Sequence, residues 1–447
     1  MNVILFPTDN SLDRLKAEVL NRVESASAYR SVINNRKQGA DDDFEWSRLE
    51  HLAVAEQTLD SFVAQQGSQY QNDTIAELYV VIAVERLNAQ EPQHGINAAK
   101  KGIRHGNLHD FYYIAANLMY AAGMAFEVIE FLQETQAERQ KKKKVSNDIG
   151  THLDEILLLA NLETGQPKKA IGFAKKILEI IPENYTANLH KALAHILNGP
   201  DGVSEAIPHL VHASNNGSHV ERDYSAHLGD LANAIRMKDK FAIKENYLNM
   251  GRYSLMHRFP GNALSALFLR KAHETLPAES GSQIFEYLSV AAKQMMTAGS
   301  PHRVVRMLEG VAHSDFPTRP IAMHYAHALV GVQQFKEAAD SFTILHRRYP
   351  NDPYIKFMLG FSLEKSGRMK EALQSYADML GSHIFNGNSI LTNMTLSIRK
   401  ARERADGIKQ GLVVPEFNGY RWLSKVPDLF GIAQSDATVQ PVRYERG

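Results

Sequence analysis

Cysteine is absent from all 447 residues. That excludes disulfides, thiolate metal sites, cysteine-held iron–sulfur clusters and cysteine nucleophiles. Net charge is absent as well: Lys and Arg number 50, and so do Asp and Glu. No global field therefore draws the chain to nucleic acid or an anionic membrane, and only a local patch would serve. No stretch approaches the ~18 consecutive apolar residues of a membrane-spanning helix, so no membrane insertion is expected. The opening MNVILFPTDNSLDRLK holds a short apolar run, Val3 to Phe6, with no basic segment before it. That is too short for a secretory signal, so the expected location is the cytoplasm. Long low-complexity linkers are also missing, which fits a bacterial protein. There is no phosphate-binding glycine loop, no HExxH, no GxSxG and no kinase-type set. The expectation is a chain that is not an enzyme and needs no cofactor.

What is present is helix. The hydrophobic share is 44% and the charged share 22%, enough to bury a large core. Apolar residues recur at a helical period over 11–28, 44–64, 75–88, 110–122, 152–164, 168–181 and 186–197, separated by short Gly, Pro or Asn breaks. Strand-like alternation is almost absent. This pattern predicts an all-α architecture, either an α-solenoid or a large bundle.

A repeat emerges on stepping back 34 residues at a time from RYPNDPYIKFMLGFSLEKSGRMKEALQSYADML. Gly367 falls on Gln333 and then Gly299. Ala372 falls on Ala338 and Val304, Tyr376 on Phe342 and Leu308, Leu363 on Leu329 and Met295, and Gly360 on Ala326 and Ala292. Three units follow in register: 285–318, 319–352 and 353–386. Residues 152–184 show the same marks at Gly165, Ala170 and Pro182. Residues 185–218 continue them with Ala192, Gly199 and Ala206, around an insertion at Gly199-Pro200-Asp201-Gly202. AGMAFEVIEFLQE has its turn at Gly123. A small residue at each crossing lets two helix backbones approach, and a proline stops the second helix because it lacks an N–H and clashes with the preceding turn.

A 34-residue helix–turn–helix unit with Leu359-Gly360, Leu363, Gly367, Ala372 and Tyr376 at these places resembles the tetratricopeptide repeat (TPR). The best matches cover roughly 35–40% of the chain, counted as matched units against the family pattern. Lys356 stands where the family has a bulky apolar residue, and the first 70 residues carry no match. The resemblance implies a right-handed α-solenoid of TPR-like repeats. Its expected parts are an N-terminal helical segment (1–74), helical hairpins (75–218), diverged hairpins out of register (219–284), three repeats (285–386), a capping helix (387–410) and an irregular tail (411–447).

The resemblance also implies where a protein partner would sit. First helices of successive units line a concave groove, whose residues here would include Lys293, Met323, His324, His327, Tyr354, Phe357 and Phe361. The family's carboxylate clamp is not matched, since its places hold Val290, Met323 and Met358. An apolar, aromatic and Met-rich surface is expected instead, unless neighbouring units or the tail bury those side chains. The tail is rich in large apolar groups, among them Phe417, Tyr420, Trp422 and Phe430. Such a tail either packs on its own solenoid or docks on another chain. Two basic stretches offer a less favoured nucleic-acid contact: Lys141, Lys142, Lys143 and Lys144, and a C-terminal face with Arg399, Lys400, Arg402, Arg404 and Lys409. A homo-oligomer is a further option, and so is an accessory subunit or domain of an unrecognised enzyme, with its centre in 1–75 or 219–284. The pairs His209/His212 and His324/His327 sit three apart on helices, but neither has an acidic third ligand at a matching position, so no metal is expected.

Overall fold

Helix is the only regular structure among the described residues of this computed structural model, namely 9–35, 42–66, 72–88, 91–106, 110–141, 149–216, 218–257, 262–275, 283–312, 318–380, 401 and 404–410. The chain divides into two units, Met1–Asp239 and Lys240–Gly447. The first unit holds α1 (Asp9–Asn35), α2 (Asp42–Gln66), α3 (Asp73–Asn88), α4 (Pro92–His105), α5 (Asp110–Ala121), α6 (Ala125–Glu134) and one-turn α7 (Gln136–Arg139). It continues with α8 (Ile149–Glu163), α9 (Pro167–Ile180), α10 (Tyr185–Leu197), a 3₁₀ turn (Pro200–Gly202), α11 (Val203–Asn216) and α12 (His219–Met237). The second unit holds α13 (Lys240–His257), α14 (Asn262–Thr275), α15 (Gln283–Thr297), α16 (Pro301–Ala312), α17 (Arg319–Gly331), α18 (Phe335–Arg348), α19 (Pro353–Lys365) and α20 (Met369–Leu380). Residues 404–409 are helical too. No helix among the described residues is long and apolar enough to cross a membrane.

Helices pair in chain order. In the first unit α1 packs on α2, α3 on α4, α5 on α6, α8 on α9 and α10 on α11; in the second, α13 packs on α14, α15 on α16, α17 on α18 and α19 on α20. Neighbouring hairpins touch through α9 and α10, α11 and α12, α16 and α17, and α18 and α19. The segment before residue 70, which carries no repeat signature, is a hairpin as well, built from longer helices of 27 and 25 residues.

The turns show why the sequence reverses where it does. Gly123, Gly165, Gly299, Gln333 and Gly367 all have left-handed backbones, with φ of 86, 74, 74, 62 and 84°. Each closes its helix with the same two backbone bonds. At Gly367 these run from Gly367 N–H to the Glu364 carbonyl (3.0 Å) and from Arg368 N–H to the Leu363 carbonyl (2.8 Å). At Gln333 they run to Val330 (3.0 Å) and, from Gln334, to Leu329 (2.9 Å). This closure satisfies carbonyls that the helix end would otherwise leave orphaned. The last three of these turn residues recur every 34 residues.

Packing keeps the same register. In the second helix of each repeat, the fifth, ninth and twelfth residues beyond the turn residue are buried: Ala170, Ala174 and Ile177; Val304, Leu308 and Val311; Ala338, Phe342 and Leu345; Ala372, Tyr376 and Met379. Those spacings put three side chains on one helix face. The hairpin at Gly199 departs in one way. Pro200 has no N–H for the second closing bond, and the 3₁₀ turn delays α11, so its buried Ala206, Leu210 and Ala213 come two residues later. The first helices behave differently: residues 321–330 of α17 are buried without interruption, as expected for a helix with neighbours all round. At the α19–α20 crossing, a Cβ on Gly360 would lie 2.6 Å from Tyr376 Cε1, so only glycine lets that ring approach.

Candidate partner-binding surface

The predicted groove residues stand on α15, α17 and α19, and their register relates them. Val290, His324 and Met358 each lie nine residues before their turn residue; Lys293, His327 and Phe361 lie six before it. Lys293 is exposed, in a stripe along α15 with Glu286, Val290 and Thr297. Met323, His324, His327, Tyr354, Phe357 and Phe361 are buried. The same helix face is thus open on α15 and covered on α17 and α19.

The covered face is a hydrogen-bonded aromatic seam. The Tyr354 hydroxyl and His327 Nε2 are 2.8 Å apart, with the rings edge-on at 5.6 Å. His327 also faces Phe342 at 5.6 Å. Burial holds His324 neutral at about 4, helped by the Lys293 charge nearby. Burial, then His324, pushes His327 well below the ordinary imidazole range. Burial likewise raises the Tyr354 phenol. These groups join α17 to α19 as neutral donors and acceptors, stabilising the stack where charges would disrupt it.

The second seam closes the C-terminal hairpin. Arg404 Nε donates to Glu364 Oε2 (2.8 Å) and Nη2 to Oε1 (2.6 Å). The Tyr376 hydroxyl donates to the same Oε2 at 2.8 Å, and the guanidinium lies 5.0 Å from the Phe361 ring centroid. Arg404 was expected on a basic outer face. Instead it points inward, because a buried carboxylate 40 residues earlier offers two acceptors in the planar geometry a guanidinium fits. Lys141 and Lys409 are exposed. Lys142, Lys143, Lys144, Arg399, Lys400 and Arg402, and the tail residues Phe417, Tyr420, Trp422 and Phe430, lie outside the described residues.

The histidine pairs divide their contacts. His209 Nδ1 meets Asn188 Oδ1 at 2.8 Å, whereas His212 Nε2 meets Glu183 Oε2 at 3.2 Å. Among the described residues no group of three or more His, Cys, Asp or Glu could hold a metal ion. A further charged seam, invisible in the sequence, joins the N-terminal helices: Lys101 Nζ contacts Glu56 (2.9 Å) and Asp60 (2.7 Å), and the Tyr79 hydroxyl donates to Asp60 (2.7 Å). Its members come from three helices up to 45 residues apart, so no local spacing marks it.

The turn closure, the 34-residue recurrence and the buried register decide the architecture. The described helices form TPR-like repeats. Each unit stacks its TPR-like hairpins in chain order, as an all-α solenoid does. No family model matches the chain, and no curated protein matches it. Among solved structures it is similar to the TPR domain of P58(IPK), at 14% identity over 88% of this chain and 99% of that one, with a TM-score of 0.21. It is also similar to a human IFIT1 dimer with PPP-AAAA, at 13% identity over 80% and 77%, with a TM-score of 0.25. At those scores neither superposition carries an argument, and the TPR-like assignment rests on the turns and the packing.

Proposed function

We propose that this chain is a non-enzymatic cytoplasmic scaffold that binds a protein partner and assembles or regulates a complex. The observation that carries this reading is the α15 face. Val290 is 39% exposed between Glu286 and Lys293, at the register positions that α17 and α19 cover with their own packing. An apolar residue flanked by charges on an open helix face suits a partner helix or an extended segment. The tail residues Phe417, Tyr420, Trp422 and Phe430 form the second element of the proposal, as a docking segment.

The test is site-specific photo-crosslinking in native extract. A photoreactive residue at position 290 is compared with one at Glu309, an exposed position on α16, and each is made in the full chain and in a chain ending at Leu412. One protein crosslinked from 290 and not from 309 supports the groove. Loss of that crosslink on truncation assigns the tail a part in docking. Equal labelling from both positions, or nuclease-sensitive material as the main product, overturns the reading.

A further inference from the structure

Unit one presents a row of exposed lysines along α9, which packs on α10. The sequence of α9 is PKKAIGFAKKILEI. Its exposed residues include Lys168, Lys169, Gly172, Lys175, Lys176 and Ile180, with Glu179 the one acid among them. An added Cβ at Gly172 would meet nothing within 4 Å, so the helix surface is bare between the two lysine pairs. Lys191 on α10 is half-buried beside this face. Burial, and then the Lys175 charge, lower its ammonium pKa, and the nearby Glu205 carboxylate offsets part of that. On α11, His209 Nδ1 donates to Asn188 Oδ1 at 2.8 Å, and burial holds this imidazole at about 4, so its Nε2 is an acceptor at neutral pH and takes no part in holding an anion. The His195 and His209 rings lie parallel at 6.2 Å. Glu205, 67% exposed, takes the His195 Nδ1 at 3.1 Å.

Like charges along one helix face repel, and an anion lying across them relieves that repulsion. Among the described residues no carboxylate forms a salt bridge with Lys168, Lys169 or Lys175, whereas Lys101 elsewhere in the same unit is held by Glu56 and Asp60. We infer that the exposed face of α9 is a docking surface for an acidic peptide segment of a protein partner, with its carboxylates along Lys168, Lys169, Lys175 and Lys176. This site lies in a different unit from the proposed groove and does not depend on it.

Two features favour a peptide over nucleic acid. The stripe runs on from the lysines to Ile180 and Ile181, which are 66% and 40% exposed, and an apolar end suits an apolar side chain beside the acids. The face also offers no open aromatic ring on which a base could stack, since Phe173 is partly buried with Lys176 lying 5.0 Å from its ring. From Lys168 to Ile180 the helix rises about 18 Å, at about 1.5 Å per residue. An extended peptide of about six residues covers that span.

The test is fluorescence anisotropy on the full chain with labelled peptides Glu-Asp-Glu-Glu-Gly-Leu and Gln-Asn-Gln-Gln-Gly-Leu, and with a labelled oligothymidylate. The acidic peptide is expected to bind, and to weaken about tenfold between low and high salt as screening shortens. Lys168→Glu/Lys175→Glu should weaken it at least about tenfold, and Lys169→Met/Lys176→Met, which keeps the apolar stems, about fivefold. Lys336→Glu/Lys370→Glu, on exposed positions of the other unit, should leave it within about twofold. Ile180→Ser should weaken Glu-Asp-Glu-Glu-Gly-Leu and leave a Ser-ended version, Glu-Asp-Glu-Glu-Gly-Ser, unchanged. Circular dichroism confirms that each variant folds. No binding of the acidic peptide, equal binding of the neutral one, insensitivity to the lysine changes, or tighter binding of oligothymidylate would each overturn the inference.

Discussion

Arg404→Met removes one half of a buried ion pair and leaves the other half in place. Arg404 and Glu364 are 3% and 7% exposed, and the arginine supplies two of the three hydrogen bonds drawn to the carboxylate. Breaking such a pair typically costs about 3–5 kcal/mol, because the remaining charge stays buried. Loss of the guanidinium from the Phe361 face adds about 0.5–1 kcal/mol. Glu364→Gln should cost a similar amount from the other side. The two single changes should not add. Glu364→Leu/Arg404→Met removes both charges and replaces them with apolar volume, so its cost should fall to that of the orphaned Tyr376 hydroxyl, about 1–3 kcal/mol, far below the sum of the singles. The readout is hydrogen exchange by mass spectrometry on peptides covering α19, α20 and 404–410, with peptides of the first unit as internal reference. The singles should speed exchange in these segments alone, by up to about a thousandfold for a loss near 4 kcal/mol, and the double should restore part of the protection. Singles that change exchange less than about fivefold, or a double equal to their sum, would refute the argument that the buried charge sets the cost.

Three other expectations follow from the turns and the buried imidazoles. Gly360→Ala should destabilise the second unit by about 1–3 kcal/mol through the Tyr376 clash, read as a lower urea midpoint; an unchanged midpoint contradicts the close crossing. Gln333→Gly should stabilise by about 0.5–1 kcal/mol, because φ of 62° strains a side chain that Gly299 and Gly367 lack, whereas Gly367→Ala should destabilise by about 1 kcal/mol. His190 and His324 are both held at about 4 by burial, against about 6.5 in an unfolded chain. The unfolded state therefore takes up protons first. Stability is full above about pH 6.5 and falls as pH drops toward about 4, by roughly 3 kcal/mol per site. Urea midpoints at neutral and acid pH should fall accordingly, and His324→Phe should flatten the dependence in its own unit.

The repeat was legible because its physics is local. A left-handed turn residue, a small residue at the crossing and one buried face recur at fixed offsets, and even Gln333 takes the backbone its neighbours reserve for glycine. The hairpin of α1 and α2 left no signature because its long helices do not follow the 34-residue measure. Side-chain environment was less legible. SIRKARERADGIKQ reads as a solvated face, yet Arg404 turns inward to a carboxylate that no spacing in that stretch reveals. His209 and His212 share a helix face but answer to different elements, Asn188 on α10 and Glu183 before it. Whether Val290 or His324 sees solvent depends on what packs over each helix, and the shared register position alone does not decide it.

The turn at Pro200–Gly202 absorbs its extra length without disturbing the packing on either side. The buried positions of α11 shift by two and then keep the ordinary spacing, and the outer edge of Gly199 is open. A tip of this kind is a natural splice point. Lineages can lengthen or trim it, and an experimenter can graft a fluorophore or an epitope there, while the hairpins on both sides keep their alignment.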